Sequence, residues 1–313
     1  MKHYLYTNDV GNLQKTVEEA IELKKNELKY SELGKGKTIC LLFFNNSLRT
    51  RLSTQKAAQN LGLNVVVMNF GNEGWQLEYE DGAIMNKDKA EHIKEAAKVI
   101  AQYCDIVAIR AFASLTDKEK DRAEVILESF KKLAGIPVVN MESATGHPMQ
   151  ALADAITMEE FKVAKKPKVV LSWAPHPRAL PHAVANSFVE MMQLQDADFV
   201  ITHPEGYELD PEITKDSKIE YNQKKAFENA DFIYVKNWSS FKNYGKVENT
   251  DENWMIDGDK MAVTNNAKFM HCLPVRRNVV VADEVIDSES SVVIEQANNR
   301  TYSAQIVLKK IVE

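Results

Sequence analysis

The sequence predicts an α/β protein made of two doubly wound parallel-sheet domains, and three observations predict it. Short apolar runs of strand length alternate with segments of helical periodicity. That alternation occurs twice, once before and once after residues 146–148. The 313 residues exceed what one ordinary core organises, so two units are expected. Alternating strands and helices give parallel sheets because right-handed crossovers return each strand to the same sheet.

In chain order, an amphipathic helix is expected over Leu13–Leu28. Buried strands are expected at Thr38–Phe44, Asn64–Met68, Asp105–Ile109 and Pro137–Asn140, with helices at Thr50–Leu61, Lys89–Gln102 and Lys118–Leu133. The order then repeats, with strands at Lys168–Ser172, Asp198–Ile201, Asp231–Val235, Lys268–His271 and Ser291–Ile294. Helices are expected at Leu180–Met192 and Tyr221–Asn229, and a last amphipathic helix over Ala297–Ile311 packs with the first. The expected divisions are 1–147, 148–295, and a C-terminal helix, 296–313, returning to the first domain.

Composition narrows the function. The chain is 44% hydrophobic and 27% charged, with a net charge of −6, which disfavours nonspecific nucleic-acid binding. Its longest apolar runs are far too short to span a membrane, and Met1-Lys2-His3-Tyr4 opens no apolar signal core. The expected location is cytoplasmic. Cys40, Cys104 and Cys272 are odd in number and widely spaced, which argues against a disulfide framework. Cys40 and Cys104 read as buried packing residues.

Open parallel sheets bind ligands beyond the carboxyl ends of their strands. That rule selects Asn45–Arg51, Arg110, Gly146–Gln150, Ser172–Arg178, Lys236–Ser240 and His271–Arg277. The run Phe44-Asn45-Asn46-Ser47-Leu48-Arg49-Thr50-Arg51 follows a strand and opens a helix, where free N–H groups attract anions. Ser47 and Thr50 add hydroxyls, and Arg49 and Arg51 add guanidinium forks suited to phosphate. The competing reading is a plain Ser N-cap followed by two solvated arginines. No Walker run and no Gly-x-Gly-x-x-Gly after a strand is present, which counts against a nucleotide-binding protein or an α/β oxidoreductase.

Ser47-x-Arg49-Thr50-Arg51 after a strand resembles the signature of the aspartate and ornithine carbamoyltransferase family. Three more motifs match it in order: Arg110 ending a strand, His147-Pro148-Met149-Gln150, and His271-Cys272-Leu273-Pro274 with Arg276-Arg277. The resemblance extends over essentially the whole chain. It implies a site in a cleft and at a subunit interface. It also implies that Ser47, Leu48, Arg49 and Thr50 cradle the phosphate of carbamoyl phosphate, while Thr50, Arg110 and His147 act on the carbonyl oxygen. Pro148, Met149, Cys272, Leu273 and Arg300 complete that set, and Gln150 accepts from the carbamoyl NH2. Neither a metal nor another cofactor is implied, and His271-Cys272 has no second ligand pair at zinc spacing. A catalytically dead relative would need a broken motif, and none is broken.

The acceptor is read from a departure. The ornithine enzyme carries an Asp that binds a free α-ammonium where this chain has Lys236-Asn237-Trp238-Ser239-Ser240-Phe241. A lysine there repels an ammonium and suits a blocked amine. The pattern is similar to the acylornithine branch, with Gly74-Trp75, Glu142, Trp173, His176-Pro177, Lys236 and Thr264-Asn265-Asn266. By that resemblance Trp75 completes a neighbouring subunit's site in a homotrimer, and Glu142, His176, Lys236, Arg276 and Ala90 face the acylornithine. The acetyl enzyme has Glu where this chain has Ala90, and a lysine where it has Val280; the succinyl enzyme has Pro at the first. A small neutral Ala90 leaves room for a second carboxylate, which favours the succinyl acceptor. A one-residue shift of the loop would bring in Glu91 instead and favour the acetyl form.

Overall fold

A computed structural model of the chain describes residues 1–71 and 73–313. The strands are β1 (Thr38–Phe43), β2 (Asn64–Asn69), β3 (Leu77–Glu78), β4 (Glu91–His92), β5 (Ile106–Arg110), β6 (Val138–Glu142), β7 (Lys168–Trp173), β8 (Asp198–Thr202), β9 (Lys218–Ile219), β10 (Phe232–Lys236) and β11 (Lys268–Met270). The α-helices are α1 (Leu13–Lys25), α2 (Arg49–Asn60), α3 (Ile93–Tyr103), α4 (Lys118–Arg122), α5 (Val125–Leu133), α6 (Pro148–Phe161), α7 (Ala183–Met192), α8 (Pro211–Thr214), α9 (Gln223–Phe227), α10 (Gly258–Met261), α11 (Asp283–Ile286) and α12 (Val293–Val312). No described helix is long and apolar enough to cross a membrane.

The chain forms two compact units, Met1–Met149 with Arg300–Glu313, and Gln150–Asn299. The first holds a sheet in the order β2-β1-β5-β6, and the second a sheet in the order β11-β10-β7-β8-β9. Every pair in both sheets is parallel. From β1 the chain moves outward to β2, then returns to β5 on the other side. The strand order therefore reverses between β1 and β5, and likewise between β7 and β10. Ligand crevices open at such reversals. The residues that end these strands are Phe43 and Arg110 in one unit, and Trp173 and Lys236 in the other.

Burial explains the continuous apolar runs. β1 reads Thr-Ile-Cys-Leu-Leu-Phe, with Ile39 to Phe43 all buried, because helices cover both faces. Along β7, Val169, Leu171 and Trp173 join one core with Phe188, Tyr234 and Trp238. Val170 turns to the opposite core with Phe227, Ile233 and Phe269. In the first unit, Leu42, Val107, Ile109, Phe130 and Val138 share a core. Residues of the last helix pack with the first there: Lys310 pairs with Glu19 at 2.7 Å and Gln305 donates to the Glu27 carbonyl at 2.6 Å. Cys40, Cys104 and Cys272 are buried and form no disulfide among the described residues.

Four expectations need correction. Ser291–Ile294 is not a strand. Ser291 makes only an isolated bridge to Phe269, and the last helix begins at Val293 rather than Ala297. A short apolar run does not distinguish a strand from the buried first turn of a helix. The segment Lys118–Leu133 is two helices, because Glu124 takes a left-handed backbone with φ 48° and ψ 41°. α3 starts at Ile93, since Glu91 and His92 pair with Leu77 and Glu78 as a short ladder. α6 left no amphipathic signal, because Pro148 to Met158 are all buried, its polar residues Gln150, Asp154 and Thr157 included, and none of that stretch is exposed.

Candidate active site

In the first unit the candidate residues gather at the carboxyl ends of β1, β5 and β6. α2 starts at Arg49, and its N-cap position is Leu48, with no side chain capping the helix. The Ser47 hydroxyl is therefore not engaged as a cap, and the first N–H groups of α2 keep their capacity for an anion. Thr50, in the first turn, is buried, and its hydroxyl accepts from Arg300 at 2.5 Å.

Arg110 ends β5 and is only 6% exposed. One of its amines donates to the carbonyls of Asn45 at 3.0 Å and Asn46 at 2.6 Å, tying the loop before α2 to β5. The other lies 3.3 Å from Glu142, which ends β6. Its guanidinium carbon stands 3.9 Å from the centre of the Phe112 ring. Burial lowers the Arg110 pKa and the Glu142 charge pulls it back, so the pair keeps the cation in place. The buried Nε of Arg110 has no hydrogen-bond partner.

His147 follows the β6 loop and is buried. Its Nε2 lies 3.5 Å from Glu142 and 3.4 Å from an Arg300 amine. Thr50, Arg300, His147, Glu142 and Arg110 thus form one continuous group, with the Glu142 carboxylate between Arg110 and His147. The loop that sets His147 hangs on Glu124. That carboxylate accepts from Ser143 Oγ at 2.6 Å, the Thr145 amide at 2.7 Å, Thr145 Oγ1 at 2.6 Å and the Ala144 amide at 3.2 Å. Burial raises the Glu124 pKa against these donors. Sequence reasoning missed Glu124, which reads as one more acidic residue on a charged helix.

Trp75 and Ala90 stand apart from this group on the β3–β4 segment. Trp75 is 58% exposed and its indole donates to Glu91 at 2.8 Å. Leu77 pairs with Glu91, and the Ala90 amide donates to the Gln76 carbonyl at 3.2 Å. These contacts set the register of this short ladder and engage the Glu91 carboxylate with Trp75.

In the second unit, Gln150 sits in the first turn of α6 and is buried. Its amide nitrogen donates to Asp154 at 2.7 Å, and its amide oxygen has no partner. Asp154 also accepts from Gln296 at 2.7 Å, and Gln296 in turn accepts from the His271 amide at 2.9 Å. Cys272 is buried in the loop after β11, and Leu273 takes a positive φ of 54° before Pro274.

His176 lies past the end of β7, Lys236 ends β10, and Arg276 lies in the loop after β11. His176 Nε2 accepts from Arg276 Nε at 3.1 Å, and its Nδ1 faces both the Arg178 carbonyl at 2.8 Å and the Arg178 amide at 3.1 Å. Burial first, then the charges of Arg276, Lys236 and Arg178, lower the His176 pKa, which keeps the ring neutral. None of these three cations pairs with a described carboxylate. The group is suited to a ligand with more than one negative charge.

A profile described as "Aspartate/ornithine carbamoyltransferase, carbamoyl-P binding domain" matches residues 2–160. A second, for the "Asp/Orn binding domain" of the same family, matches residues 181–311. The chain is 54% identical over 315 residues to the N-succinylornithine carbamoyltransferase of Bacteroides fragilis (strain 638R), covering 100% of this chain and 99% of that one. It is 36% identical over 335 residues to the N-acetylornithine carbamoyltransferase of Xanthomonas campestris pv. campestris, covering 100% and 98%. One similar solved structure is an N-acetyl-L-ornithine transcarbamylase variant with a glutamate replaced by alanine, complexed with carbamyl phosphate and N-succinyl-L-norvaline. It matches with a TM-score of 0.93 at 34% identity, over 99% of this chain and 100% of that one. Two parallel sheets, Arg110 at a strand end, a His-Pro-x-Gln run and matches along the whole length lead to one conclusion: the chain belongs to the aspartate/ornithine carbamoyltransferase family.

Proposed function

We propose that the chain transfers the carbamoyl group of carbamoyl phosphate to the δ-amine of N-succinyl-L-ornithine, giving N-succinyl-L-citrulline and phosphate. The first unit takes carbamoyl phosphate and the second takes the acylornithine. The amine nitrogen bonds to the carbonyl carbon, the bond from that carbon to the phosphate oxygen breaks, and the amine proton leaves with the phosphate. Ser47, Leu48, Arg49, Thr50 and Arg300 hold the phosphate. Arg110, His147 and Thr50 stabilise the charge that grows on the carbonyl oxygen, where one preorganised donor is worth about 3 kcal/mol. Gln150, with its unpartnered amide oxygen, receives the carbamoyl NH2. Pro148, Met149, Cys272 and Leu273 line the same ligand.

The observation that carries the acceptor is the trio Lys236, Arg276 and Arg178 around a neutral His176. A succinylated ornithine brings two carboxylates to it, and an acetylated one brings a single carboxylate. A small Ala90 fits the same reading, and a succinyl ligand accompanies the glutamate-to-alanine variant of the acetyl enzyme. N-acetyl-L-ornithine is the second reading, favoured by the 36% identical relative. Glu142 has a part in either case, although its closest contacts are Arg110 and His147.

The active form in this reading is a cytoplasmic homotrimer serving arginine synthesis. Trp75 reaches a neighbour's site, and the exposed Leu48 and Leu52 at the start of α2 offer apolar surface. Purified protein is to be incubated with carbamoyl phosphate and ornithine, N-acetylornithine or N-succinylornithine, and the ureido product measured. Succinylornithine is expected to give the largest kcat/KM. Free ornithine as the best acceptor overturns the Lys236 argument, and acetylornithine as the best overturns the argument from Ala90 and the three cations.

A further inference from the structure

We propose that Asp154 is a positioning residue that fixes which face of the Gln150 amide meets the carbamoyl group. The inference rests on the carbamoyl-transfer reading of Gln150. A carboxylate oxygen only accepts hydrogen bonds, whereas a glutamine amide carries a donor end and an acceptor end that differ little in shape. Asp154 Oδ1 accepts from Gln150 Nε2 and from Gln296 Nε2, both at 2.7 Å. Both amides are therefore held in one orientation, with nitrogen toward Asp154 and oxygen away. For Gln296 the outcome is visible, because its oxygen receives the His271 amide at 2.9 Å. For Gln150 the oxygen is buried and has no partner. A buried acceptor without a donor is costly, so the site is prepared for a ligand N–H. Turned round, Gln150 would meet the carbamoyl NH2 with its own NH2, donor against donor. One carboxylate thus orients the carbamoyl group and, through Gln296, the loop that starts at His271. All four side chains are buried, so water cannot substitute for any of them.

Asp154 acts through Gln150, so the test is a double-mutant cycle on kcat in the full-length protein, with carbamoyl phosphate and N-succinylornithine. Asp154→Ala is expected to lower kcat about 30-fold beside Gln150 but less than about threefold in a Gln150→Ala background, because contacting residues are non-additive. Asp154→Asn, an amide that tolerates either orientation of Gln150, is expected to lose about tenfold beside Gln150 and almost nothing in Gln150→Ala. It carries the same comparison if the alanine variant does not fold. Equal losses in both backgrounds indicate a general structural role and overturn the proposal, as does full activity of both Asp154 variants. Lack of turnover by the unsubstituted protein refutes the carbamoyl-transfer reading itself, and the role of Asp154 with it.

Discussion

Arg110→Lys separates the two jobs that Arg110 performs. The guanidinium ties the Asn45 and Asn46 carbonyls to β5 and faces Glu142, and in the proposed reaction it also donates to the carbonyl oxygen. A lysine keeps the charge opposite Glu142, which is 9% exposed, and so avoids the roughly 3–5 kcal/mol cost of a buried carboxylate left without its cation. A single ammonium cannot reproduce the planar fork, and at least one contact of a charged donor is lost, worth about 1.5–3 kcal/mol. Asn45 and Asn46 are exposed, so water takes over part of that loss. The net destabilisation is then about 1–3 kcal/mol, or a melting-temperature drop on the order of 3–10 °C for a unit of this size. The kinetic effect is expected to be larger, because the donor is no longer aimed at the developing charge: kcat falls about 100-fold or more. Thermal unfolding and steady-state kinetics on one preparation supply both numbers. Arg110→Lys that melts as expected but keeps kcat within about threefold refutes the charge-stabilising role and leaves Arg110 as a loop tie.

Three further substitutions probe the surrounding architecture. Glu124 occupies left-handed backbone at φ 48°, so Glu124→Gly is expected to be about 1 kcal/mol more stable than Glu124→Ala, although both lose the anchor of loop 143–145. Denaturant midpoints measure this, and equal midpoints would show that the conformation carries no strain. His203 is buried and its pKa is lowered by that burial, so the unfolded chain takes up a proton that the folded chain refuses. Its stabilisation is present above the unfolded pKa of about 6.5 and is lost as pH falls below it. The urea midpoint is expected to drop between pH 7.5 and 5.5, and less steeply in His203→Gln; parallel slopes would remove His203 as the cause. Ala90→Glu is expected to shift the kcat/KM ratio of acetylornithine to succinylornithine upward by about tenfold, equivalent to 1.4 kcal/mol of charge repulsion. An unchanged ratio would show that this position does not select the acyl group.

The two sheets were legible because parallel strands buried on both faces read as unbroken apolar runs, as Thr38–Phe43 and Lys168–Trp173 do. The candidate residues were legible as a set because strand ends and the loops after them concentrate polar chemistry, and Arg110, His147, Lys236 and Arg276 all lie there. Where sequence reading failed, a competing interaction decided the outcome. α6 has no exposed face to give it a period, and Ser291–Ile294 is too short for its apolar run to be assigned.

Glu124 and Asp154 were invisible for a different reason. Each lies on or at the start of a helix, in a position where sequence patterning would treat an acidic residue as surface or as an error of burial. Each is tolerated because donors converge on it from far along the chain: Ser143 to Thr145 for Glu124, and Gln296, more than a hundred residues away, for Asp154. Burying a carboxylate costs several kcal/mol unless such donors are already in place. Ser143 to Thr145 lead directly to His147, and Gln296, which donates to Asp154, accepts from the His271 amide. Removing either carboxylate would leave several buried donors without an acceptor at once, so these segments have little freedom to move independently. Two buried carboxylates, neither of them proposed to touch a substrate, therefore tie down the segments of the candidate residues His147 and His271.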